Sequence, residues 1–331
     1  VALGRGLYIL AVTPASGYQE RVPLVRFNEP GRADGCGDRY AVEGVQFRLV
    51  PLDITDRTLF TATDAEQLVA RINGNDVASR SLLRNQVAYL CFGMTEDATT
   101  TRDLSSLVQP TATAPPTNLL DRLYEQGALQ SCDVPLALIF WTLSGIQFID
   151  TWAVRRRIHQ VSPTSAWPFG KREERLAIGE ATFLQFQQQI LDLVDTQLTF
   201  GQARQINARD YFDFLPPVGV LPLQEGSRRG IGVDTFFTRQ PHRAPEVIEG
   251  ALVEPLLVQG PWHSPVFTRE AELVWVYRVR QNQQALNVDS SVRPYLIFTS
   301  SHVPYQAFAN FDMARWEYGN YWQPPVTEER A

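Results

Sequence analysis

Apolar and polar residues alternate in several short stretches of this chain. Leu7–Val12 is rich in β-forming residues, and Gly44–Val50 alternates apolar with polar residues before a proline, so both are predicted to be strands. Val134–Thr142 runs into a Leu-Ser-Gly turn, and Ile146–Asp150 alternates after that turn, which predicts a β-hairpin. Two further stretches have the composition of strands, namely Leu273–Val279 and Tyr295–Ser300.

Other segments carry apolar residues at steps of three and four, which is typical of helices. Asp64–Ile72 and Asp76–Phe92 follow this pattern, each with its first aspartate as the predicted N-cap. The same spacing places Cys91 in a hydrophobic core. Leu119–Glu125 follows an Asn cap and ends near a glycine, and Pro245–Leu257 begins with a proline in its first turn, so both are predicted to be helical.

One long amphipathic helix is predicted at about residues 171–198. Over Lys171–Gln197, four large apolar residues recur at helical spacing, with Gln and Asp on the opposite face. These four residues are Phe183, Phe186, Ile190 and Val194.

The remaining segments are loops and connectors. Asn28–Asp38 is dense in Gly, Asp and Asn, and Thr95–Thr117 is rich in Thr, Ser and Pro, which suits an accessible connector between lobes. Asp213–Pro222 contains three prolines in seven residues, so regular sheet is not expected there. The fold class is therefore an α+β, β-rich protein with two lobes and antiparallel strands. We expect residues 1–110 to form an N-terminal β-rich lobe with two helices, and residues 111–331 to form a C-terminal α+β lobe.

Composition narrows the classes of partner. The 331 residues are 44% hydrophobic, which is enough to form hydrophobic cores. The formal net charge of −6 argues against nucleic acid as the main ligand. Cys36, Cys91 and Cys132 are odd in number and widely spaced, which favours a reducing compartment over a disulfide framework. No signal peptide is seen, and the longest apolar run, Val134–Trp141, is too short to span a bilayer, so direct membrane insertion is not expected.

No familiar set of catalytic or metal-binding residues stands out in the sequence. The chain has no nucleophile elbow, phosphate-binding loop or dinucleotide-binding glycine pattern, and its four histidines lie far apart. We therefore predict no cofactor, no metal and no catalytic residue. Asp210 and Asp213 leave open a hydrolase or a sugar-binding cleft whose carboxylates come together only in the fold.

Two groups of residues are candidates for a protein interface. Arg155 and Arg157 end a predicted strand and point to one of its faces, where they either bind an anionic partner or protect a sheet edge. Tyr305–Trp322 contains more large aromatic residues than one strand can bury, so we expect it to dock on a partner or clamp the lobes. Its interface residues are Tyr305, Phe308, Phe311, Arg315, Trp316, Tyr318, Tyr321 and Trp322.

Three long stretches resemble a group of large, poorly characterised proteins encoded near contractile phage-tail and extracellular contractile injection system genes. The stretches are VPLALIFWTLSGIQFIDTWAVRRRI, FLPPVGVLPL and RPYLIFTSSHVPYQAFANFDMARWEY, and the GVQFRLVPL strand is similar to the same group.

The resemblance implies a non-enzymatic structural or accessory subunit of a phage-tail-like particle, at the baseplate or another docking position. Such a subunit acts by packing against other protein subunits; it is cytoplasmic during assembly and then part of the particle. Two alternatives stay open: a surface carbohydrate-binding or adhesin module that recognises glycans, and a hydrolase with distant carboxylates.

Overall fold

The computed structural model describes residues 4–25, 33–94, 118–156, 172–242, 244–260, 263–289 and 291–300. Among them it also describes the backbone, but not the side chains, of residues 18–25, 33–40 and 172–175. These residues form two compact units. The first contains the described residues up to Gln189 together with Asp210–Phe214, and the second contains Ile190–Arg209 and the described residues from Leu215 onwards.

Ten strands and nine α-helices are defined in the described residues. The strands are β1 Gly6–Val25, β2 Ala33–Pro51, β3 Val134–Thr142, β4 Gly145–Asp150, β5 Phe214–Leu215, β6 Val218–Pro222, β7 Glu246–Ile248, β8 Val266–Phe267, β9 Trp275–Val279 and β10 Tyr295–Thr299. The helices are α1 Ala62–Asn73, α2 Val77–Phe92, α3 Leu119–Glu125, α4 Arg172–Asp192, α5 Phe200–Arg204, α6 Ala208–Tyr211, α7 Val233–Phe236, α8 Val253–Gln259 and α9 Arg280–Val288. This confirms the predicted α+β class, the long helix and the antiparallel strands.

The first unit is built on a four-stranded antiparallel sheet of order β2-β1-β3-β4. Its strands arise where the alternating pattern predicts them, but β1 and β2 are much longer than expected. A loop was predicted for Asn28–Asp38. This prediction is wrong for Ala33–Asp38, because the backbone there pairs with β1 despite its glycines. A long cross-strand ladder thus overrides the local preference of Gly and Asp for loops.

The helices of the first unit begin and end at specific caps. The Thr61 hydroxyl accepts a hydrogen bond from the amide of Asp64, so Thr61 and not Asp64 is the N-cap of α1. Asp76 caps α2 as predicted, by accepting from the amide of Ser79 at 2.8 Å. The helix α2 stops at Gly93, whose φ of 68° is a left-handed conformation that glycine adopts without strain.

The second unit contains a four-stranded sheet of order β6-β10-β9-β7. Strand β6 contradicts the prediction that Asp213–Pro222 cannot be regular sheet. It is tolerated because β6 lies at the sheet edge and Pro222 is its last residue, where a missing amide donor costs no internal ladder bond. The helix predicted for Pro245–Leu257 is also partly wrong, because β7 and a short 3-10 helix precede α8 there.

The division into lobes at residues 110 and 111 differs from the observed units. Strands β3 and β4, which follow residue 111, complete the sheet that β1 and β2 begin, so the predicted boundary falls inside the first unit. The predicted connector Thr95–Thr117 lies outside the described residues.

Candidate protein-interaction surface

The inner face of the first sheet is a hydrophobic core. Alternate residues of β1, including Leu7 and Ile9, are fully buried, as are Leu138 and Phe140 on β3. Phe140 lies opposite Phe148 of β4, with ring centroids 5.7 Å apart. One face of the sheet is therefore covered by other residues of the same unit.

The opposite face of the same sheet is also apolar, and much of it is exposed. On β2, Val45 is 66% exposed and Phe47 is 64% exposed, and the partly exposed Leu49 lies on the same face. The residues opposite Phe47 and Leu49 on β1 are Val12 and Leu10, which are half-buried. We call this surface, together with its continuation on β3 and β4, the outer sheet face.

The outer sheet face continues across the sheet to its other edge. Val134 of β3 lies opposite Val12 and is 55% exposed. Ile139 of β3 lies between Tyr8 of β1 and Ile149 of β4; Ile149 is exposed, whereas Ile139 is itself buried at 7% exposure. The apolar residues therefore form one row across the sheet from β2 to β4, with exposed side chains on β2 and β4 and a covered one at Ile139.

Such a surface is unusual for a sheet that only supports its own fold. An antiparallel sheet with one face in solvent normally carries polar residues on that face. Large contiguous apolar patches on soluble proteins mark binding surfaces, whereas single exposed apolar side chains are common. Leu143 in the β3–β4 turn and Val288 at the end of α9 are exposed apolar residues of this second kind. The outer sheet face is therefore the strongest candidate site among the described residues.

Sequence reasoning missed this surface, although a signal for it is present. A strand with one solvated face needs apolar residues only at alternate positions. Leu7–Val12 is apolar at every position, because Tyr8, Leu10 and Val12 occupy the face that a solvated sheet would leave polar.

Behind the core, the first unit contains a network of buried polar side chains. The Nε of Arg84 donates to the Asp150 carboxylate at 2.6 Å, and the Gln185 amide donates to the same oxygen at 3.0 Å. Gln185 also donates to Gln189, whose own amide donates to Ser81. The two glutamines are buried, which contradicts the prediction that Gln faces away from the core of the long helix. They are accommodated there because the NH2 group of each donates hydrogen bonds to buried acceptors.

A second buried ion pair joins Arg71 and Asp213. The guanidinium of Arg71 lies 2.5 Å from the Asp213 carboxylate and also donates to the side-chain oxygen of Gln86 at 2.6 Å. Asp210, the other carboxylate of the predicted sugar-binding or hydrolytic pair, is exposed. Asp213 is thus committed to a buried ion pair within the fold, which links α1 and α2 to the segment after α6.

The arginine cluster at the end of β4 differs from the prediction. The strand stops at Asp150 because its carboxylate accepts from the amides of Trp152 and Ala153 and closes a turn, so Arg155 follows a turn and not a strand. Arg155 donates from Nε to the carbonyl of Leu136 at 3.0 Å, which anchors it beside β3. Arg157 lies outside the described residues, as does the whole of Tyr305–Trp322.

Arg156 has a role that the sequence did not indicate. Its guanidinium stacks over the ring of Phe92 at 4.6 Å from the centroid and donates to the carbonyl of Cys91 at the end of α2. Burial lowers the pKa of Arg156 to about 10 and raises the pKa of the Cys91 thiol to about 12. Cys91 is a core residue, as predicted, and its raised pKa keeps it protonated at neutral pH.

Among the described residues, no group of three His, Cys, Asp or Glu side chains is arranged to hold a metal ion. No helix in the described ranges has the length and apolar character needed to cross a membrane. His263 is exposed, and partial desolvation by its neighbours lowers its pKa.

No protein-family model, no curated protein and no solved structure matches the chain.

Proposed function

We propose that this protein is a non-enzymatic structural or accessory subunit that assembles with other protein subunits through the outer sheet face. The observation that carries the proposal is the set of exposed apolar side chains on the outer sheet face: Val45 and Phe47 on β2, Val134 on β3 and Ile149 on β4. Burying exposed apolar area is the main favourable term in protein association, at about 25 cal/mol per Å². A partner that covers this face therefore gains more binding free energy than one that covers a polar surface of the same area.

Strand β2, which carries Val45 and Phe47, is tied to the rest of the unit by an ion pair, and this supports the same proposal. Arg48 of β2 donates to the buried carboxylate of Asp133 at 2.5 Å, and Asp133 in turn accepts from the amide of Gln130. A preorganised surface loses little conformational freedom when a partner binds, so more of the burial free energy remains as affinity.

We further propose that the assembly is a phage-tail-like contractile particle. This part rests on the resemblance of the three long sequence stretches. Arg155, Arg157 and the Tyr305–Trp322 segment are proposed as additional interface residues, because arginine and large aromatic side chains are enriched at interface hot spots.

The experiment is to purify the tagged protein from the organism that encodes it and determine which subunits accompany it in constant ratio. The variant Val45→Asp/Phe47→Asp places two charges on the outer sheet face and is expected to lose those subunits. Leu143→Asp is the matched control, because Leu143 is 96% exposed in the β3–β4 turn and not on any of the strands that form the face.

The outcomes separate the two parts of the proposal. Sheath or baseplate-type subunits in constant ratio, lost only from the double variant, are the expected result. If other proteins accompany the chain in constant ratio, the assignment to a phage-tail-like particle is rejected, while the assignment of the outer sheet face as the assembly surface is kept. If the double variant retains every partner, the outer sheet face is not the assembly surface.

A further inference from the structure

Strands β1 and β2 extend far beyond the sheet they belong to. Strand β3 pairs with β1 only as far as Val12, which lies opposite Val134 of β3. From there, Pro14–Val25 and Ala33–Val45 pair only with each other among the described residues, as a two-stranded ribbon roughly 40 Å long. We call this ribbon the arm. A two-stranded ribbon is marginally stable alone in water, so a long one indicates a second surface that supports it.

In the described residues the arm has two free edges, β1 from Pro14 onwards and β2; β2 is the terminal strand of the sheet along its whole length. The amide of Leu52 donates to the carbonyl of Leu7, which makes this opposite pair a hydrogen-bonded one. Hydrogen-bonded pairs alternate along an antiparallel ladder, so even-numbered residues of β2 bond to β1. The amide and carbonyl of Ala41 and of its odd-numbered neighbours therefore point away from β1, towards the free edge.

We infer that the edge of β2 pairs antiparallel with β2 of a second copy of this chain, across a two-fold axis at Ala41. Such an axis is perpendicular to the sheet, so it places odd-numbered residues opposite odd-numbered residues and keeps the outer sheet faces of both copies on one side. The surface is distinct from the outer sheet face and goes beyond the proposed assembly with other subunits.

The register follows from the sequence of β2 between Cys36 and Gln46. Centred on Ala41, the pairing places Arg39 opposite Glu43 twice, and opposite charges across strands stabilise a sheet. Centring on residue 39 or 43 sets two like charges opposite each other, and centring on 40 or 42 leaves Arg39 and Glu43 opposite uncharged residues. Only the Ala41 register pairs Arg39 with an acidic residue.

The other pairs in this register are also complementary. Tyr40 lies opposite Val42, an aromatic and β-branched combination that is favourable across strands. Gly37 lies opposite the exposed Val45, and a glycine at an edge leaves room that a larger residue on the facing strand can cover. Charge, shape and hydrogen-bonding direction therefore agree on one register.

The test is disulfide trapping in a background that carries Cys36→Ser and Cys132→Ser. In a hydrogen-bonded antiparallel pair the Cα atoms are about 5.5 Å apart, which a disulfide spans, so Ala41→Cys should form a covalent dimer when oxidised by diamide. Val42→Cys is the control, because its two copies would be about 8 Å apart on the diagonal, which is beyond disulfide range. Equal cross-linking of the two variants, or none, would overturn the inference.

Charge exchange tests the register without a cross-link. In sedimentation velocity, Arg39→Glu should raise the dimer dissociation constant about tenfold or more. The reason is that the new glutamate lies opposite Glu43 of the other copy at both symmetry-related positions. Arg39→Glu/Glu43→Arg should restore dimerisation. A double variant as weak as the single one contradicts the register. The purified chain is measured alone. A dimer that persists in Ile149→Asp, which places a charge on the outer sheet face at β4 and leaves β2 unchanged, separates this inference from the proposed function.

Discussion

Replacing Asp150 by alanine should be among the most destabilising single substitutions in the first unit. The carboxylate is fully buried and bonds to four groups: the Nε of Arg84 at 2.6 Å, the amide of Gln185 at 3.0 Å, and the backbone amides of Trp152 and Ala153 at 3.1 and 2.9 Å. Asp150→Ala removes all of these bonds at once.

The magnitude is set mainly by the arginine that remains. The side chain of Arg84 is almost completely buried, and it would lose its carboxylate partner. Removing one member of a buried ion pair typically costs about 3–5 kcal/mol, because the remaining charge is left in a poorly solvating environment. Asp150→Asn keeps an oxygen for the two turn amides and should cost less than Asp150→Ala.

Hydrogen exchange of the α2 amides is the appropriate assay, because it reports the opening free energy of this unit separately from the rest of the chain. Asp53→Ala is the matched control within the same unit, since this carboxylate is exposed and accepts hydrogen bonds from the amide and hydroxyl of Thr55, so its removal should change the protection of α2 little. The reasoning is refuted if Asp150→Ala lowers the protection of α2 by less than about 1 kcal/mol.

Two further predictions concern titratable groups. Hydrogen bonds from the side chain and amide of Ser79 lower the pKa of Asp76 below 3.8, so this cap stabilises the fold above that pH and the contribution is lost as the pH falls through the lowered pKa. Asp76→Ala should thus cost about 1 kcal/mol at pH 7 and progressively less below pH 3.8, whereas Asp76→Asn should cost little at either pH, as denaturant titrations would show. Iodoacetamide at pH 8 should label the exposed Cys132 and leave Cys91 unmodified, because burial raises the Cys91 pKa to about 12; equal labelling of both by mass spectrometry would contradict this.

Much of the secondary structure could be predicted because it depends on local patterns. Asp76 before an apolar period predicts the start of α2, and the Leu-Ser-Gly turn predicts the β3–β4 hairpin. The start of α1 was misplaced because both Thr61 and Asp64 are good capping residues, and only the geometry decides which oxygen accepts the bond.

Features that depend on distant partners could not be predicted in the same way. The strand character of Ala33–Asp38 comes from pairing with β1, and the burial of Gln185 comes from Asp150, which lies 35 residues earlier. Pro222 is compatible with a strand only because β6 is at an edge, and sheet order is not visible in the sequence.

The candidate surface illustrates the same limit. The apolar residues at every position of Leu7–Val12 were enough to predict a strand, but not which set of side chains remains exposed. That depends on which face of the sheet the helices cover, and this is settled by packing over the whole unit.

The most direct test of the central claim is oxidative footprinting of the protein, free and in its native assembly. Phe47, Leu49 and Ile149 of the outer sheet face should be labelled in the free chain and strongly protected in the assembly, while Leu143 and Val288 stay labelled in both. If Phe47 and Ile149 are labelled equally in the free and assembled protein, the outer sheet face is not the surface through which this chain assembles.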